Sequence, residues 1–287
     1  GIVGSGRIAK RFVPESKFVN SVNVIAVYDP DKYKAKEFSN SFGIKAFSNK
    51  FEDFLDYVDA VYVASPHLTH YEYTRKALHA GKHVLCEIPF MLSAQDAREL
   101  YNYAETNNLV LLEASKTAFC PSFNHIVTLV KSGVIGNIVD VKTSLSKIVS
   151  PPTRELDEYQ AGGAMNEHAP LNMMAIVRLL GKEYDNVNFY SKIENGVDIY
   201  TKVHICYPHA TASMTLGIGV KTEGNMIISG TKGYVYVPAP WWLTDYFEIR
   251  YEDQTKNKKF FYCYDGDGLR YEIQEFMSMI VNHRMSS

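Results

Sequence analysis

The sequence predicts two parts: an α/β domain built on a parallel sheet, then an α+β domain with a large, mostly antiparallel open sheet. Three observations predict this. Short apolar runs alternate with helical segments over the first third of the chain. A glycine-rich turn follows the first apolar residues. Beyond about residue 190 the periodicity changes to two, as half-buried antiparallel strands require.

The elements follow in order. Gly1-Ile2-Val3 is an apolar stub and Val24-Ile25-Ala26-Val27 a second strand, followed by helical character over 31–42. Val58 to Ala64 is apolar and rich in β-branched residues, and 68–80 reads as a helix closed by Gly81. His83-Val84-Leu85-Cys86 is strand-like, Ser93 is suited to cap a helix reaching Asn107, and Leu109 to Leu112 is a last apolar strand. Short buried strands separated by helices imply a parallel sheet covered on both faces. A helix over 122–131 stops at Gly133. Ile199, Thr201, Val203 and Ile205 then share one face, and Ala210, Ala212, Met214, Leu216 and Ile218 alternate with small polar residues. A hairpin over 224–237 turns at Thr231-Lys232-Gly233, strands are expected over 244–251 and 258–264, and helices over 164–181 and 269–283. The domains are expected to span 1–116 and 117–287.

Composition narrows the function classes. The chain has 287 residues, 46% hydrophobic and 22% charged, an ordinary globular balance. Its net charge is -2, without a basic block, which argues against nucleic acid. No apolar run has the length of a membrane span and no leader pattern opens the sequence, so a cytoplasmic protein is expected. Cys86, Cys120, Cys206 and Cys263 are far apart and form no C-x-x-C pair, which fits reduced thiols and gives no metal site. Both ends read as clipped. Three residues precede Gly4, fewer than the usual five or six of a strand.

Gly4-Ser5-Gly6-Arg7-Ile8-Ala9 fits G-x-G-x-x-[GA]. The first glycine allows the tight turn, the second leaves room for a pyrophosphate, and the small third residue lets helix and strand approach. The helix start then offers N–H donors and partial positive charge to phosphates. Asp29 lies 20 residues after Ala9, where a Rossmann acid accepts hydrogen bonds from the adenosine ribose. A carboxylate there repels a 2′-phosphate, so NAD is the expected cofactor. The alternative reading of Asp29 is a turn former in Asp29-Pro30-Asp31.

The run Val58-Asp59-Ala60-Val61-Tyr62-Val63-Ala64-Ser65-Pro66, then His70, then Ala80-Gly81-Lys82-His83-Val84-Leu85-Cys86-Glu87, resembles the Gfo/Idh/MocA family of oxidoreductases. The resemblance continues through Gly133-Val134-Ile135-Gly136, Gly162-Gly163-Ala164, Leu179-Leu180-Gly181 and Gly230-Thr231-Lys232-Gly233. It implies a nicotinamide-dependent enzyme acting on a sugar, polyol or related hydroxy compound, and an open sheet that forms a homodimer. It also implies that Ser65, Pro66, His70 and Glu87 border the cofactor.

Two positions depart from the family. Its Glu-Lys-Pro motif reads Glu87-Ile88-Pro89 here, and an alkyl group cannot hold charge or donate a proton near a developing alkoxide. In the second motif the acid falls on Glu167 and the proton-transfer position on Leu171. The candidate substitutes are Lys116, just past a strand of the parallel sheet, and Glu167 with His168 on one helix. Their bland alternatives are a surface cation, a solvated helix charge and a satisfied polar residue. A nucleotide-binding regulatory or interaction protein of the same fold, without turnover, is the competing function. Trp241 and Trp242 read as packing over a sheet edge in preference to sugar stacking, and His67 as a neighbour of the nicotinamide.

Overall fold

The computed structural model describes residues 1–285. They divide into two compact units. One is Gly1–Lys116 with the segment from Gly266 onward, and the other is Thr117–Asp265.

The first unit carries a six-stranded sheet. Its strands are β1 (Ile2–Val3), β2 (Ala26–Tyr28), β3 (Ala46–Ser48), β4 (Ala60–Val63), β5 (His83–Glu87) and β6 (Leu111–Ala114). They lie in the order β3-β2-β1-β4-β5-β6, and every pairing is parallel. The order reverses at β1, so the crevice beyond the strands' carboxyl ends opens beside Gly4. The helices are α1 (Arg7–Ser16), α2 (Lys32–Phe42), α3 (Phe51–Leu55), α4 (His70–His79) and α5 (Ala94–Thr106). Side-chain caps start two of them: Asp31 accepts from Tyr33 and Lys34 N–H, and Ser93 from Gln95 and Asp96 N–H. Val3, Val61, Val63, Val84 and Leu111 pack with Phe54, Leu78 and Leu100 in one core. Strand β3 and helix α3 were not expected from the sequence; each is too short to carry a period.

The second unit opens with α6 (Lys116–Phe119, whose first residue belongs to the first unit) and α7 (Pro121–Lys131). Its eight strands are β7 (Ile138–Ser146), β8 (Asn186–Glu194), β9 (Val197–Cys206), β10 (Thr211–Gly217), β11 (Met226–Gly230), β12 (Tyr234–Val237), β13 (Tyr246–Arg250) and β14 (Lys258–Phe261). Their order is β14-β13-β12-β11-β7-β10-β9-β8. The β7–β10 pairing is parallel, and the other neighbours are antiparallel. Helix α8 (Ala164–Leu180) packs on β7, β9 and β10. Val197, Ile199, Thr201, Val203 and Ile205 are buried, as the alternation predicts, whereas β8 is exposed almost throughout. Trp241 is fully buried, its indole N–H donating to the Ser144 carbonyl, which fits packing and not a sugar platform.

The expected boundary needs one correction. Helix α9 (Leu269–Val281), placed by the sequence in a domain running to 287, belongs to the first unit. Its apolar stripe of Leu269, Ile273, Phe276 and Met279 is buried. Its start is fixed to α1 by Arg270, whose guanidinium and backbone N–H all donate to the Glu15 carboxylate at 2.7–3.2 Å.

Candidate functional site

The glycine turn follows directly from β1. Gly4 has φ +97°, and a Cβ there would come within 2.7 Å of the Ala64 carbonyl oxygen, so backbone and packing both require glycine. Gly6 differs. Its φ is -75°, open to any residue, and a Cβ there would meet no atom within 4 Å. Gly6 also caps α1 without a side-chain hydrogen bond. Uncapped N–H groups of the first turn therefore face open space, as a phosphate site requires. Arg7 is exposed, Ile8 half-buried, and Ala9 fully buried where the helix meets the sheet.

Asp29 follows β2. Its carboxylate accepts from Ser5 N–H at 3.2 Å, Ser5 Oγ–H at 2.6 Å and Asp31 N–H at 3.0 Å. It thus braces the glycine turn and shapes its own turn, as the turn-former reading expects. After β4, Thr69 Oγ–H reaches Ser65 Oγ and the Pro66 carbonyl. The His70 ring bridges two loops, with Nδ1 2.9 Å from the Pro89 carbonyl and Nε2 2.8 Å from that of Ser65. His67 is buried edge-on to His70.

Glu87 ends β5. Tyr62 donates its phenolic hydrogen to it, and Phe12 stacks on Tyr62 at 3.9 Å. Burial, opposed by the Tyr62 hydrogen bond and the Lys116 charge, pushes the Glu87 carboxyl up to about 7. Glu113 on β6 accepts from Phe90 N–H, and burial raises its carboxyl too. Lys116 donates to the Asp267 carbonyl; burial lowers its ammonium against the pull of Glu272, Asp267 and Glu87. Glu272 on α9 is fully buried, and neither of its carboxylate oxygens has a hydrogen-bond partner among the described residues. Tyr62, Glu113 and Glu272 were missed by sequence reasoning. Glu272 left a signal: it lies three residues after Leu269 and four before Phe276, on the apolar stripe of its helix.

In the second unit, Glu167 and His168 sit in the first turns of α8. Arg154 binds Glu167 through both terminal nitrogens, at 2.8 and 3.1 Å. Burial lowers the His168 imidazolium to about 4, so the ring is neutral at pH 7. Leu171, one turn on, is buried. A cavity of about 430 Å³ also opens in the first unit, lined by Gly1, Ala60, Tyr62, Leu85 and Phe276. It lies at the starts of the parallel strands, away from the glycine turn. No metal-binding cluster of acidic, His or Cys residues occurs among the described residues. No described helix is long and apolar enough to cross a membrane.

Comparison with known proteins agrees with this architecture. Residues 1–115 match the Gfo/Idh/MocA model, described as an oxidoreductase family with an NAD-binding Rossmann fold. The rabbit (Oryctolagus cuniculus) trans-1,2-dihydrobenzene-1,2-diol dehydrogenase is 28% identical over 286 residues, covering 95% of this chain and 87% of the rabbit protein. A 3-ketoreductase from Actinomadura kijaniata, solved with NADP and TDP-benzene, superposes with a TM-score of 0.88 at 23% identity over 100% of this chain and 90% of its own. A levoglucosan dehydrogenase, solved with NADH and levoglucosan, gives 0.88 at 18% identity over 99% and 90%. The family match lies over the N-terminal 115 residues, and the likeness to these dehydrogenases extends along nearly the whole chain.

Proposed function

We propose that this protein binds NAD(H) at the Gly4–Ala9 turn and transfers a hydride between nicotinamide and a sugar, polyol or related hydroxy compound. The observation that carries the reading is Gly6. Neither its backbone angles nor its neighbours require glycine, so a ligand against the bare backbone is the remaining reason for one. The family and its dehydrogenase relatives supply the reaction class.

When bound, the nicotinamide supplies the hydride chemistry. The chain's own residues hold it and manage the proton that leaves or joins the substrate oxygen. Gly4, Gly6 and the start of α1 take the pyrophosphate, and Asp29 takes the adenosine ribose and disfavours a 2′-phosphate. His70 holds the loops ending in Ser65 and Pro89 together. Lys116 is the first choice for the proton partner absent at Ile88, because its charge acts on the Glu87 carboxyl. Glu167 is committed to Arg154, and His168 is the second choice. The setting is a cytoplasmic homodimer that covers the flat face of Thr211, Ser213 and Thr215.

Ile88 and Leu171 favour a second reading, nucleotide binding without turnover. One set of measurements separates the two. Calorimetry with NADH and NADPH should show tighter NADH binding, and Gly6→Val should weaken it more than 100-fold without changing thermal stability. NADH formation over a panel of polyols and sugars should be abolished by Lys116→Ala with NADH affinity kept. Turnover that survives Lys116→Ala refutes its proton role, and no turnover in the parent establishes the second reading.

A further inference from the structure

We propose that His70 and Glu113 are positioning residues that hold one peptide group from both ends: His70, as an imidazolium, holds the Pro89 carbonyl, and Glu113, as a carboxylate, holds the Phe90 N–H. The pair fixes the turn that follows Glu87 and Ile88 and ties it to the loop after β4. The proposal rests on the reading that these loops border the cofactor.

The donor count at His70 leads to its charge. Nδ1 lies 2.9 Å from the Pro89 carbonyl oxygen, and Nε2 lies 2.8 Å from that of Ser65. Carbonyl oxygens only accept, and a neutral imidazole carries a single N–H. Either neutral tautomer would set a ring lone pair against a carbonyl oxygen, at 2.8 or 2.9 Å. Only the imidazolium supplies both hydrogens. The ring is 1% exposed, so solvent does not stand in for either partner.

A buried cation needs a compensating charge, and the same peptide leads to one. The Pro89 carbonyl and the Phe90 N–H belong to one planar group. His70 binds its oxygen, and its N–H donates to Glu113 Oε1 at 3.3 Å. The cation meets the negative end of the peptide dipole and the anion its positive end, so each charge polarises the peptide in the sense that strengthens the other bond. Burial raises the Glu113 carboxyl and the Phe90 N–H opposes that rise; the imidazolium acts in the same direction as the N–H. Three other titratable groups surround the turn. His67 meets the His70 ring edge-on, centres 5.7 Å apart, and Glu87 ends β5 two residues before Pro89. Cys86, its thiol 3.9 Å from the Phe90 carbonyl, is kept neutral by burial. Of the acids, Glu113 is the one bonded to the peptide that His70 holds.

The test is a long-range ¹H–¹⁵N spectrum of the histidine rings in the full chain, followed over pH. Both His70 nitrogens should show the shift of a protonated nitrogen at pH 7.5, where an exposed histidine is neutral. A neutral His70 ring in the parent at that pH overturns the proposal, whatever the variants do. In Glu113→Gln the amide oxygen still accepts the Phe90 N–H, but the anion is gone. The ring should then lose its second proton about half a pH unit or more below the parent midpoint. An unmoved midpoint in folded Glu113→Gln overturns the part given to Glu113. NADH affinity, read by calorimetry, should weaken about 3- to 10-fold as the ring deprotonates, the worth of one hydrogen bond, and that step should move with the midpoint in Glu113→Gln. An affinity that ignores the His70 midpoint overturns the positioning role. The spectrum needs no cofactor, so a chain that shows the imidazolium and binds no NADH fails only the cofactor reading.

Discussion

The interior of the first unit and the start of α8 in the second hold similar side chains in opposite electrostatic states. At α8 the charges facing His168 offset one another: Arg154 binds Glu167, Lys147 opposes Glu155, and the ring itself is neutral. Inside the first unit the charge inventory does not close, because Glu87 and Glu272 outnumber Lys116. A closed inventory fixes protonation and serves structure. An open one leaves a carboxyl titrating near neutral pH, the condition a proton-transferring group requires. Charge balance therefore separates the two regions better than residue type, since Lys116, Glu167 and His168 all read as candidates in sequence.

The two regions should push stability in opposite directions with pH. Glu87 ionises at about 7 in the folded chain, against about 4.5 unfolded, so between these values the folded state holds more protons. Stability is then full below pH 4.5 and lost as pH rises to 7. After a discount for coupling to Lys116, the loss should be about 3 kcal/mol. Glu87→Gln should remove it, so denaturant midpoints of the variant gain on the parent between pH 5 and 8. A constant gap between the two curves would mean that Glu87 is ionised throughout.

His168 should give the reverse slope and a smaller one. Its folded value of about 4 lies below the unfolded value of about 6.5, so the unfolded state holds more protons between them. Stability from the neutral ring is full above 6.5 and lost as pH falls to 4. The ring is only partly buried, so the loss should be on the order of 2 kcal/mol. His168→Gln should flatten the acid limb of a pH series of thermal melts. An unchanged acid limb would place the ring in water.

Much of this was legible in sequence, and what escaped has physical reasons. The strand–helix alternation, the Gly4–Ala9 turn and the period-two faces of β9 and β10 are local patterns, and the folded chain repeats them. The parallel pairing of β7 with β10 is not local: alternation assigns faces, but not the direction of a neighbour about 70 residues away. The return of α9 to the first unit escaped for the same reason. Its stripe shows that one face is buried, but not against which sheet. The open inventory around Glu87 assembles from α1, β4, β5, β6, α6 and α9, and no window of sequence contains it.

The smallest expected effect is the one that tests closure at α8. Arg154 and Glu167 are paired through two nitrogens, with side chains 28% and 14% exposed, so water reaches the pair and limits its worth. Partly exposed pairs of this kind contribute about 1 kcal/mol, well short of the 3–5 kcal/mol for breaking a fully buried one. Glu167→Gln keeps the size and one acceptor oxygen for the guanidinium, and removes only the charge. It should therefore lower stability by about 1 kcal/mol. The cost should be the same at pH 6 and pH 8, since the His168 ring is neutral at both. Glu87→Gln, by contrast, should change its effect across those same two conditions. Matched urea titrations of both variants at both pH values make the comparison. A Glu167→Gln cost that grows with pH would show that the carboxyl titrates there, and would restore Glu167 as a proton-transfer candidate alongside Lys116.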